Sequence, residues 1–407
     1  MSKKTIAIVG AGLSGVYIAK RLARKLRRTD HQILLFNDDS DAMTLQSVLP
    51  QLAVNTVPVE SARYDLYQLF KGDKNVTFIN QRVDDINFNH RLLMTKKNDY
   101  HYDYLILTTG SIGSAFGIPG VVEHAILFNS FDGALAVRAD LEEFLEQQKT
   151  NPEKSLNITV VGGGPSGVEL MAELASFKNH HQIDPTRITL TLVNASQVLL
   201  PALTEPELSQ KAKDFLTKRG VEVLNDTRVL GMTKHRLTLL DGQQLLTDKV
   251  YWATGLQVEP MANRWGIAIN DHGQLTVDKH FRVLTEEGIP LSNVFAAGNI
   301  AAFTQNNQEG LPQLALAAEY AGNIIINRLI YQLGLAKDHG KSAKEQKNPG
   351  YFVSLGKNYG LSNAYGRNGS AGLFARWAKH AINLSFFAGI GSAYGFFRYF
   401  RYGRPKH

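Results

Sequence analysis

Short, fully apolar runs that end at glycines recur along the chain and predict buried strands of parallel sheets. The first run is TIAIV at residues 5–9, and the second is NITVVG at residues 157–162. Apolar runs without alternation are typical of strands covered on both faces. Apolar residues then recur with helical period in VYIAKRLARKL and VELMAELASF, and further strands are predicted at HQILLFNDD and RITLTLVN. The pattern therefore predicts two copies of a strand–turn–helix–strand unit.

Both turns contain glycines in the spacing G-x-G-x-x-G. They are Gly10, Gly12 and Gly15 in the first turn, and Gly162, Gly164 and Gly167 in the second. The first glycine of such a turn permits a tight bend, the second lets backbone amides approach a pyrophosphate, and the third lets the helix pack against the strand. The helix N-terminus adds partial positive charge towards the phosphates. Because one turn binds one dinucleotide, two turns about 150 residues apart predict two dinucleotide-binding domains.

Three further apolar strands end in small residues. They are YDYLILTTGS at 102–111, DKVYWATGL at 248–256 and NVFAAGNIA at 293–301. A Thr-Gly pair at a strand end allows a close crossing of two backbones. The order along the chain is therefore glycine turn, Thr-Gly, glycine turn, Thr-Gly, Gly-Asn.

Composition restricts the chemistry that this chain can perform. It contains no cysteine, which excludes disulfides, thiolate-bound zinc, cysteine-bound iron–sulfur clusters and a cysteine nucleophile. Redox chemistry would therefore require a bound organic cofactor. The 12 histidines show no metal-ligand spacing, so no metal site is predicted.

The C-terminal region is strongly basic and aromatic. Residues 341–407 contain eleven Lys or Arg and one acid, and the seventeen residues between His380 and Arg398 are uncharged. A helix that spans a bilayer needs about 20 apolar residues, so this uncharged stretch is too short to cross a membrane. Aromatic residues among cations suit a lipid headgroup boundary, so we expect docking on an anionic membrane surface. The main alternative is that this region packs on the body of the protein or on a second subunit. A further and less favoured alternative is that it binds nucleic acid.

The order of these motifs, from about residue 5 to 330, resembles that of the two-dinucleotide-binding flavoprotein oxidoreductases. The resemblance implies an α/β fold with two Rossmann-like domains, in which an FAD domain contains an inserted NAD(P) domain. We expect the FAD domain at 1–113 and 283–335, the NAD(P) domain at 114–282, and a C-terminal membrane-docking or dimerisation region at 351–407. Members that work through cysteines, the disulfide reductases and the sulfide:quinone branch, are excluded because the chain has none.

Within that family, the type II NADH:quinone dehydrogenases look most similar. The similar segments are VVGGGPSGVELMAELA, LQSVLPQLAVNTVPVESAR, LPQLALAAEYAGNIIINRL and the basic, aromatic C-terminus. The resemblance implies hydride transfer from NAD(P)H to FAD and electron transfer to a quinone-type acceptor. It implies a cytoplasmic protein, peripheral at the inner face of the cell membrane, and leaves a homodimer open. Two alternatives remain: a slow-turnover redox-sensing or assembly protein, and a reductase of another non-thiol acceptor such as ferredoxin.

The resemblance also implies roles for individual residues. Glu169 is the candidate catalytic residue, which positions the nicotinamide or relays a proton; the alternative is an acid stabilised by the helix dipole alone. Gln51, Pro312 and Gln313 are expected to border the flavin ring. The full set of expected cofactor-binding residues is Gly10, Gly12, Leu13, Ser14, Gly15, Asn37, Asp38, Gln51, Val83, Thr109, Gly110, Gly162, Gly164, Pro165, Ser166, Gly167, Asn194, Thr254, Gly255, Gly298, Asn299, Pro312 and Gln313.

Three asparagines stand where carboxylates are usual in this family. Asn37 ends the second strand of the FAD unit, with Asp38 as a substitute, and Asn299 follows the late glycine. Loss of charge assistance in one hydrogen bond costs about 1 kcal/mol. In the nicotinamide unit, Asn194 stands in the place of the acid that would select NADH. An arginine nearby would favour NADPH, but the segment after Asn194 contains none. The choice stays open, with NADH favoured.

The acceptor site also departs from the family pattern. The helix expected beneath the flavin has Leu316 and Tyr320 in the places of two glutamines, with Glu319 adjacent. This change either enlarges an apolar slot for a quinone or indicates a different acceptor.

Overall fold

Two sheets, one from each glycine-turn unit, form the framework of the molecule; the second is all parallel, and the first is parallel except for the pair formed by its last two strands. The computed structural model describes residues 2–38, 40–201, 203, 205–258, 265–271, 273–303, 315–337, 351–363 and 369–404.

The first part of the chain alternates strands with helices. Its elements are β1 (Thr5–Val9), α1 (Leu13–Leu26), β2 (Gln32–Asn37), β3 (Ala42–Thr44), α2 (Leu49–Ala53), β4 (Arg63–Asp65), α3 (Leu66–Leu69), β5 (Val76–Asn80), β6 (Val83–Asn87), β7 (Leu92–Thr95), β8 (Asp99–His101), β9 (Tyr104–Leu107) and β10 (Ile112–Gly113). Short 3₁₀ helices occur at Gln46–Val48 and Val59–Ser61. The predicted β1–α1–β2 unit is therefore confirmed.

The middle part repeats this arrangement. Its elements are α4 (Val121–His124), β11 (Ile126–Leu127), α5 (Phe131–Thr150), β12 (Leu156–Val161), α6 (Pro165–His180), β13 (Ile188–Val193), α7 (Pro206–Thr217), β14 (Val221–Leu224), β15 (Val229–Thr233), β16 (Arg236–Leu239), β17 (Gln244–Leu246), β18 (Lys249–Trp252) and β19 (Leu256–Gln257). Pro165 occupies the first turn of α6, where its missing N–H costs no intrahelical bond.

The last part returns to the first sheet and then forms a small C-terminal unit. Its elements are β20 (Leu275–Thr276), β21 (Arg282–Leu284), β22 (Pro290–Ala296), β23 (Ala301–Ala302), α8 (Ala315–Gln332), β24 (Tyr351–Ser354), β25 (Gly360–Asn363), β26 (Ser370–Ala371), α9 (Leu373–Gly389) and α10 (Ala393–Tyr402). A 3₁₀ turn covers Gly298–Ile300.

The first sheet combines residues from both ends of the predicted FAD domain. Its strand order is β21-β22-β9-β1-β2-β5, with β1 parallel to β2 and β9, and β22 parallel to β9. The side chains of Ile6, Ile8 and Ile106 are fully buried in it. Covered on both faces, these strands need no alternation of polar residues.

The second sheet has the order β11-β18-β12-β13-β14, and all of its pairs are parallel. Two chain segments cross between the sheets, and they pair with each other as the antiparallel ladder β10–β19. The double Rossmann-like α/β fold predicted from the sequence is confirmed. The domain boundaries predicted at 113/114 and 282/283 stay predictions.

The C-terminal unit packs one face against the body. Strands β24, β25 and β26 form an antiparallel sheet that α9 covers. The rings of Phe386, Phe387 and Tyr399 are buried, and the Phe387 ring centroid lies 4.5 Å from that of Tyr64. At the turn between α9 and α10, the Arg24 guanidinium donates to the carbonyl of Ile390. The unit is therefore anchored to α1 and β4 of the first part of the chain.

Candidate cofactor and electron-transfer site

The first glycine turn is tight at its ends and open at its centre. Gly10 has φ +103°, a conformation that favours glycine, and a Cβ there would overlap the Thr108 carbonyl. A Cβ at Gly15 would overlap the Gly10 carbonyl. At Gly12, the N-cap of α1, a Cβ would meet no atom within 4 Å. Gly12 therefore leaves space in front of a helix N-terminus, where an anionic group fits.

The end of β9 braces this turn. The Thr108 hydroxyl donates to the carbonyl oxygens of Val9 and Gly10, at 3.0 and 2.8 Å. The next two residues, Thr109 and Gly110, face outward, and Gly110 has φ +76° with no atom within 4 Å of a Cβ position. The predicted close crossing at a Thr-Gly pair is therefore made by Thr108, and Thr109 is left exposed beside the turn.

Asn37 supports the first turn from inside. Its side-chain oxygen accepts from the Ala11 N–H at 3.0 Å, and its amide nitrogen donates to the Ser40 carbonyl at 2.9 Å. The neighbouring Asp38 is half exposed and forms an ion pair with Arg82 at 2.6 Å. Asp38 and Arg82 thus present a charged pair at the carboxyl end of β2, where the sequence predicts Asp38 as a cofactor-binding carboxylate.

The Gly-Asn turn after β22 meets the start of α1. A Cβ at Gly298, where φ is +80°, would lie 2.6 Å from the Ser14 hydroxyl. The Asn299 amide donates to the Ser111 hydroxyl at 3.0 Å. Ser14 and Gly298, which are 284 positions apart in the chain, are therefore brought to one edge of the first sheet.

The second glycine turn has the same construction. Gly162 has φ +126°, and a Cβ there would lie 2.8 Å from the Ala253 carbonyl oxygen. A Cβ at Gly167 would overlap the Gly162 carbonyl, whereas Gly164, the N-cap of α6, has no atom within 4 Å of that position. The turn again opens in front of a helix N-terminus, with Pro165 and Ser166 as the first helical residues.

Asn194, at the end of β13, is buried and bonded internally. Its amide nitrogen lies within hydrogen-bonding distance of the carbonyl oxygens of Ser196 and Val198 and the side-chain oxygen of Asn225. The side chain shapes the loop behind Gly163.

The Thr-Gly pair after β18 completes this second turn. The Thr254 hydroxyl is buried and, within the described part of the chain, has no hydrogen-bond partner. Gly255 has φ +61°, and a Cβ there would overlap the ring of Phe116. The buried, unpartnered hydroxyl beside an open glycine turn fits a polar ligand.

Glu169, in the second turn of α6, is fixed by the C-terminal unit. The Lys379 ammonium from α9 lies 2.6 Å from both carboxylate oxygens, and the Ser354 N–H donates to one of them at 2.7 Å. The side chains of Glu169 and Lys379 are only 7% and 15% exposed. The pair is therefore largely desolvated, and each charge depends on the other.

Gln51, expected beside the flavin ring, contacts the same helix one turn later. Its amide nitrogen donates to the Glu173 carboxylate at 2.9 Å, and both residues are buried. Its own oxygen has no partner among the residues described.

A polar chain joins α9 and α10 to the first domain. The Ser47 hydroxyl donates to Asn383, whose amide donates to the Tyr399 hydroxyl at 2.9 Å. That hydroxyl is 2.7 Å from His380 Nδ1.

Not every predicted residue can be placed at the site. Val83 is buried at the start of β6, beside Arg82. Pro312 and Gln313 lie outside the described residues. Sequence analysis missed Arg82, Glu173 and Lys379, and no local motif marks any of them. Among the described residues, no three metal-ligating side chains gather into a site, and no helix is both long and apolar enough to span a bilayer.

Comparison with known proteins agrees with this geometry. Residues 4–322 match the model of the pyridine nucleotide-disulphide oxidoreductase family. The chain is 27% identical to the type II NADH:quinone oxidoreductase of Haemophilus influenzae, over 92% of this chain and 91% of the relative. It is 25% identical to that of Staphylococcus aureus, over 96% of this chain and 98% of the relative.

Solved structures show the same fold. NDH2 from Plasmodium falciparum in complex with NADH matches with a TM-score of 0.81 at 19% identity, over 99% of both chains. The sulfide:quinone oxidoreductase of Aquifex aeolicus matches with a TM-score of 0.77 at 16% identity, over 95% of this chain and 91% of that one.

Proposed function

Because the chain belongs to the pyridine nucleotide-disulphide oxidoreductase family, we propose that it transfers a hydride from NADH to FAD and passes the electrons to a quinone-type acceptor. The observation that carries this proposal is the pair of glycine turns, each open at a helix N-terminus at Gly12 and Gly164. The similar proteins named as type II NADH:quinone oxidoreductases support the donor and the acceptor. A route through cysteines is excluded because the chain has none.

In this proposal the first sheet holds FAD. The turn from Gly10 to Gly15 binds the pyrophosphate, and Asp38 with Arg82 lies where a ribose would be bound. Thr109, Gly110, Gly298 and Asn299 border the remainder of the cofactor at the same sheet edge. FAD supplies the redox chemistry, accepting a hydride from a reduced nicotinamide and releasing electrons to the acceptor.

The second sheet would hold NADH. Gly162, Gly164 and Gly167 would bind its pyrophosphate, and Thr254 would donate its free hydroxyl. NADPH would need a cation at the end of β13 to neutralise its 2′-phosphate. The segment after Asn194 reads ASQVLLP and contains none. We therefore propose NADH as the donor.

Glu169 would act at the edge where both cofactors meet. Lys379 and the Ser354 N–H hold its carboxylate in one orientation, so that it can fix the nicotinamide or pass a proton to the acceptor. Both roles predict that Glu169→Gln slows at least one half-reaction. Unchanged rates of hydride uptake and of reoxidation in rapid mixing would remove Glu169 from the mechanism.

The C-terminal unit would dock on the cytoplasmic face of the cell membrane. Phe374, Trp377, Phe397 and Phe400 project from α9 and α10 and are between 51% and 76% exposed. The Arg404 guanidinium lies over the rings of Trp377 and Phe400, 5.5 and 4.7 Å from their centroids. Exposed rings beside cations suit insertion at the headgroup boundary of an anionic membrane.

The domain organisation follows from this assignment. We propose an FAD domain at 1–113 and 283–335, an inserted NADH domain at 114–282, and a docking region at 351–407.

The direct test is turnover of the purified, FAD-loaded protein with a soluble quinone. NADH should be oxidised with one quinone reduced per NADH, and NADPH should be used much more slowly. A protein that binds FAD but reduces no quinone would contradict the proposed acceptor, and equal use of NADPH would contradict the proposed donor.

A further inference from the structure

A basic cavity of about 870 Å³ lies at the C-terminal end of α1. Its walls come from the end of α1, the start of β2, the loop between α3 and β5, and the turn between α9 and α10. Because α1 has 14 residues, the cavity is about 20 Å from the glycine turn at the other end of this helix. None of its lining residues belongs to the second sheet, so the cavity is separate from both sites proposed for the cofactors.

The cavity wall carries many more cations than acids. Its acids are Asp30 and Asp73, and its cations are Lys3, Lys20, Arg24, Arg27, Lys71 and Lys74. Asp73 is already paired with Lys20, at 2.6 Å. Five cations therefore remain beside one acid, and none of the five forms an ion pair with a carboxylate among the residues that the structure describes.

The helix dipole accounts for only part of this charge. Cations at the C-terminal end of a helix are favoured by its partial negative charge, which explains Arg24 and Arg27. Lys71 and Lys74 belong to a different element, and Lys3 precedes β1. Like charges that converge from separate elements repel one another, and a bound anion would remove that repulsion.

The loop between α3 and β5 is fixed against α1 by two contacts. The Lys20 ammonium on α1 is buried and pairs with Asp73 of the loop. The Asn75 amide at the end of the loop donates to an α1 carbonyl at 3.1 Å. The two remaining lysines of the loop therefore extend from a backbone that is already ordered, which lowers the entropic cost of binding an anion between them and α1.

His31 supplies a buried N–H donor to this cavity. Its side chain lines the cavity and is only 5% exposed. Its Nδ1 atom accepts from the Lys4 N–H at 3.1 Å, and burial lowers the pKa of the ring, so the neutral ring carries its proton on Nε2. Within the described part of the chain, no group accepts from Nε2. A buried donor of this kind needs an acceptor, which an anion in the cavity would provide.

We propose that this cavity binds a phosphate group, carried by the headgroup of an anionic lipid or by a soluble phosphate ester. The lysine and arginine side chains neutralise the phosphate, and the His31 N–H gives one directed hydrogen bond. Gly391 in the cavity wall belongs to the turn between the two helices proposed to dock on a membrane, which favours the lipid headgroup as the source. The inference does not depend on the proposed redox reaction, because no redox group takes part.

The test compares two double variants of the full-length, FAD-loaded protein. Lys71→Gln with Lys74→Gln, the cavity variant, removes two cations from the cavity. Lys96→Gln with Lys97→Gln, the control variant, removes two cations from the turn between β7 and β8. Both variants lose the same net charge, so unspecific attraction of anions falls equally in both. Because all four lysines are exposed, both variants should unfold at nearly the temperature of the unaltered protein when no phosphate ester is present.

A soluble ester tests the site directly. Calorimetric titration uses glycerol 3-phosphate, with saturating NAD⁺ present to keep the ester out of the second glycine turn. The unaltered protein and the control variant should bind the ester equally. The cavity variant should bind it at least about tenfold more weakly, because two charge-assisted contacts are lost. Lys71→Arg with Lys74→Arg keeps both charges and should bind it normally.

Flotation separates the two sources of the phosphate. With phosphatidylglycerol vesicles the cavity variant should float less than the control variant, and with uncharged phosphatidylcholine vesicles the two should float equally; this result assigns a lipid headgroup. Weaker ester binding with equal flotation on both kinds of vesicle assigns a soluble ester. Equal ester affinity together with equal flotation of the two double variants would overturn the inference. Failure of the proposed function would instead appear as no quinone reduction, which neither readout measures.

Discussion

At the residue scale, Glu169 and Lys379 form a short ion pair at the second glycine turn. Both side chains are largely removed from water, and the second bond from the Ser354 N–H satisfies the carboxylate further. Such a pair adds little net stability compared with apolar residues, but it is costly to break from one side. It therefore fixes a carboxylate at the second glycine turn.

Removal of the lysine alone should be strongly destabilising. Lys379→Met leaves the Glu169 carboxylate buried without its cation, and we expect a loss of about 3 kcal/mol in the free energy of unfolding. The double variant Glu169→Gln with Lys379→Met should recover most of that loss. Urea unfolding of the two single variants and the double variant measures the coupling. Strictly additive losses would show that the two groups do not interact.

Glu319 on α8 should make the free energy of unfolding depend on pH. Burial raises its pKa, and its Oε1 atom has no hydrogen-bond partner in the described part of the chain. Above the ordinary glutamate pKa of about 4.3, the unfolded chain loses this proton more readily than the folded one, so stability falls as the pH rises towards the raised value. Glu319→Gln should be more stable than the unaltered protein at neutral pH and equal to it in acid. Denaturant unfolding across this range, with the exposed Glu286→Gln as control, tests the sign.

At the scale of elements, the glycines of each turn have two different roles. Gly15 and Gly167 allow a helix to approach the preceding turn, whereas Gly12 and Gly164 face open space. The first kind belongs to the fold, and the second leaves space for a ligand.

This difference can be tested with alanine. Gly12→Ala should leave the stability of the FAD-free protein unchanged, because the new methyl group contacts nothing and the φ of −73° suits alanine. It should weaken FAD binding by at least about tenfold, or about 1.4 kcal/mol, by occupying the phosphate space. Gly15→Ala should instead destabilise the protein itself. Thermal unfolding without FAD and titration with FAD separate the two effects; normal FAD affinity in Gly12→Ala would argue against a phosphate at this turn.

The sequence predicted these elements well because their signals are local. The strands β1, β12 and β13 and the helices α1 and α6 lie where apolar runs and glycine spacing predict them. The contacts that complete the site are not local: Lys379 reaches Glu169 across 210 positions, and Asp38 meets Arg82 across 44. A lysine in a basic tail has no signal that distinguishes it from its solvated neighbours. Asn37 was identified by its place at a strand end, but its support of the turn through Ala11 required the structure.

At the scale of the whole molecule, the C-terminal unit has two faces. The face of α9 that includes Leu373 and Trp377 is exposed, while Asn383, Phe386 and Phe387 face the body. One face of these helices therefore packs on the body, and the docking that we propose would use the opposite face.

Loss of the exposed rings should weaken membrane association without altering the redox site. The double variant Phe374→Ser with Phe397→Ser removes two rings that are 76% and 67% exposed. It should float less with anionic vesicles, and it should still reduce a soluble quinone. Tyr67→Ser removes a ring of similar exposure from the first domain and serves as the control. Equal flotation of all three proteins would contradict docking through α9 and α10.

In the function proposed above, one chain without cysteine holds FAD and NADH so that electrons pass between them and on to a quinone. Anaerobic rapid mixing of the FAD-loaded protein tests it in two steps. NADH should bleach the visible flavin absorbance, and a quinone added afterwards should restore it, with one NADH oxidised per quinone reduced. A protein that takes up no FAD, or whose bound flavin keeps its colour in the presence of excess NADH, would contradict the account.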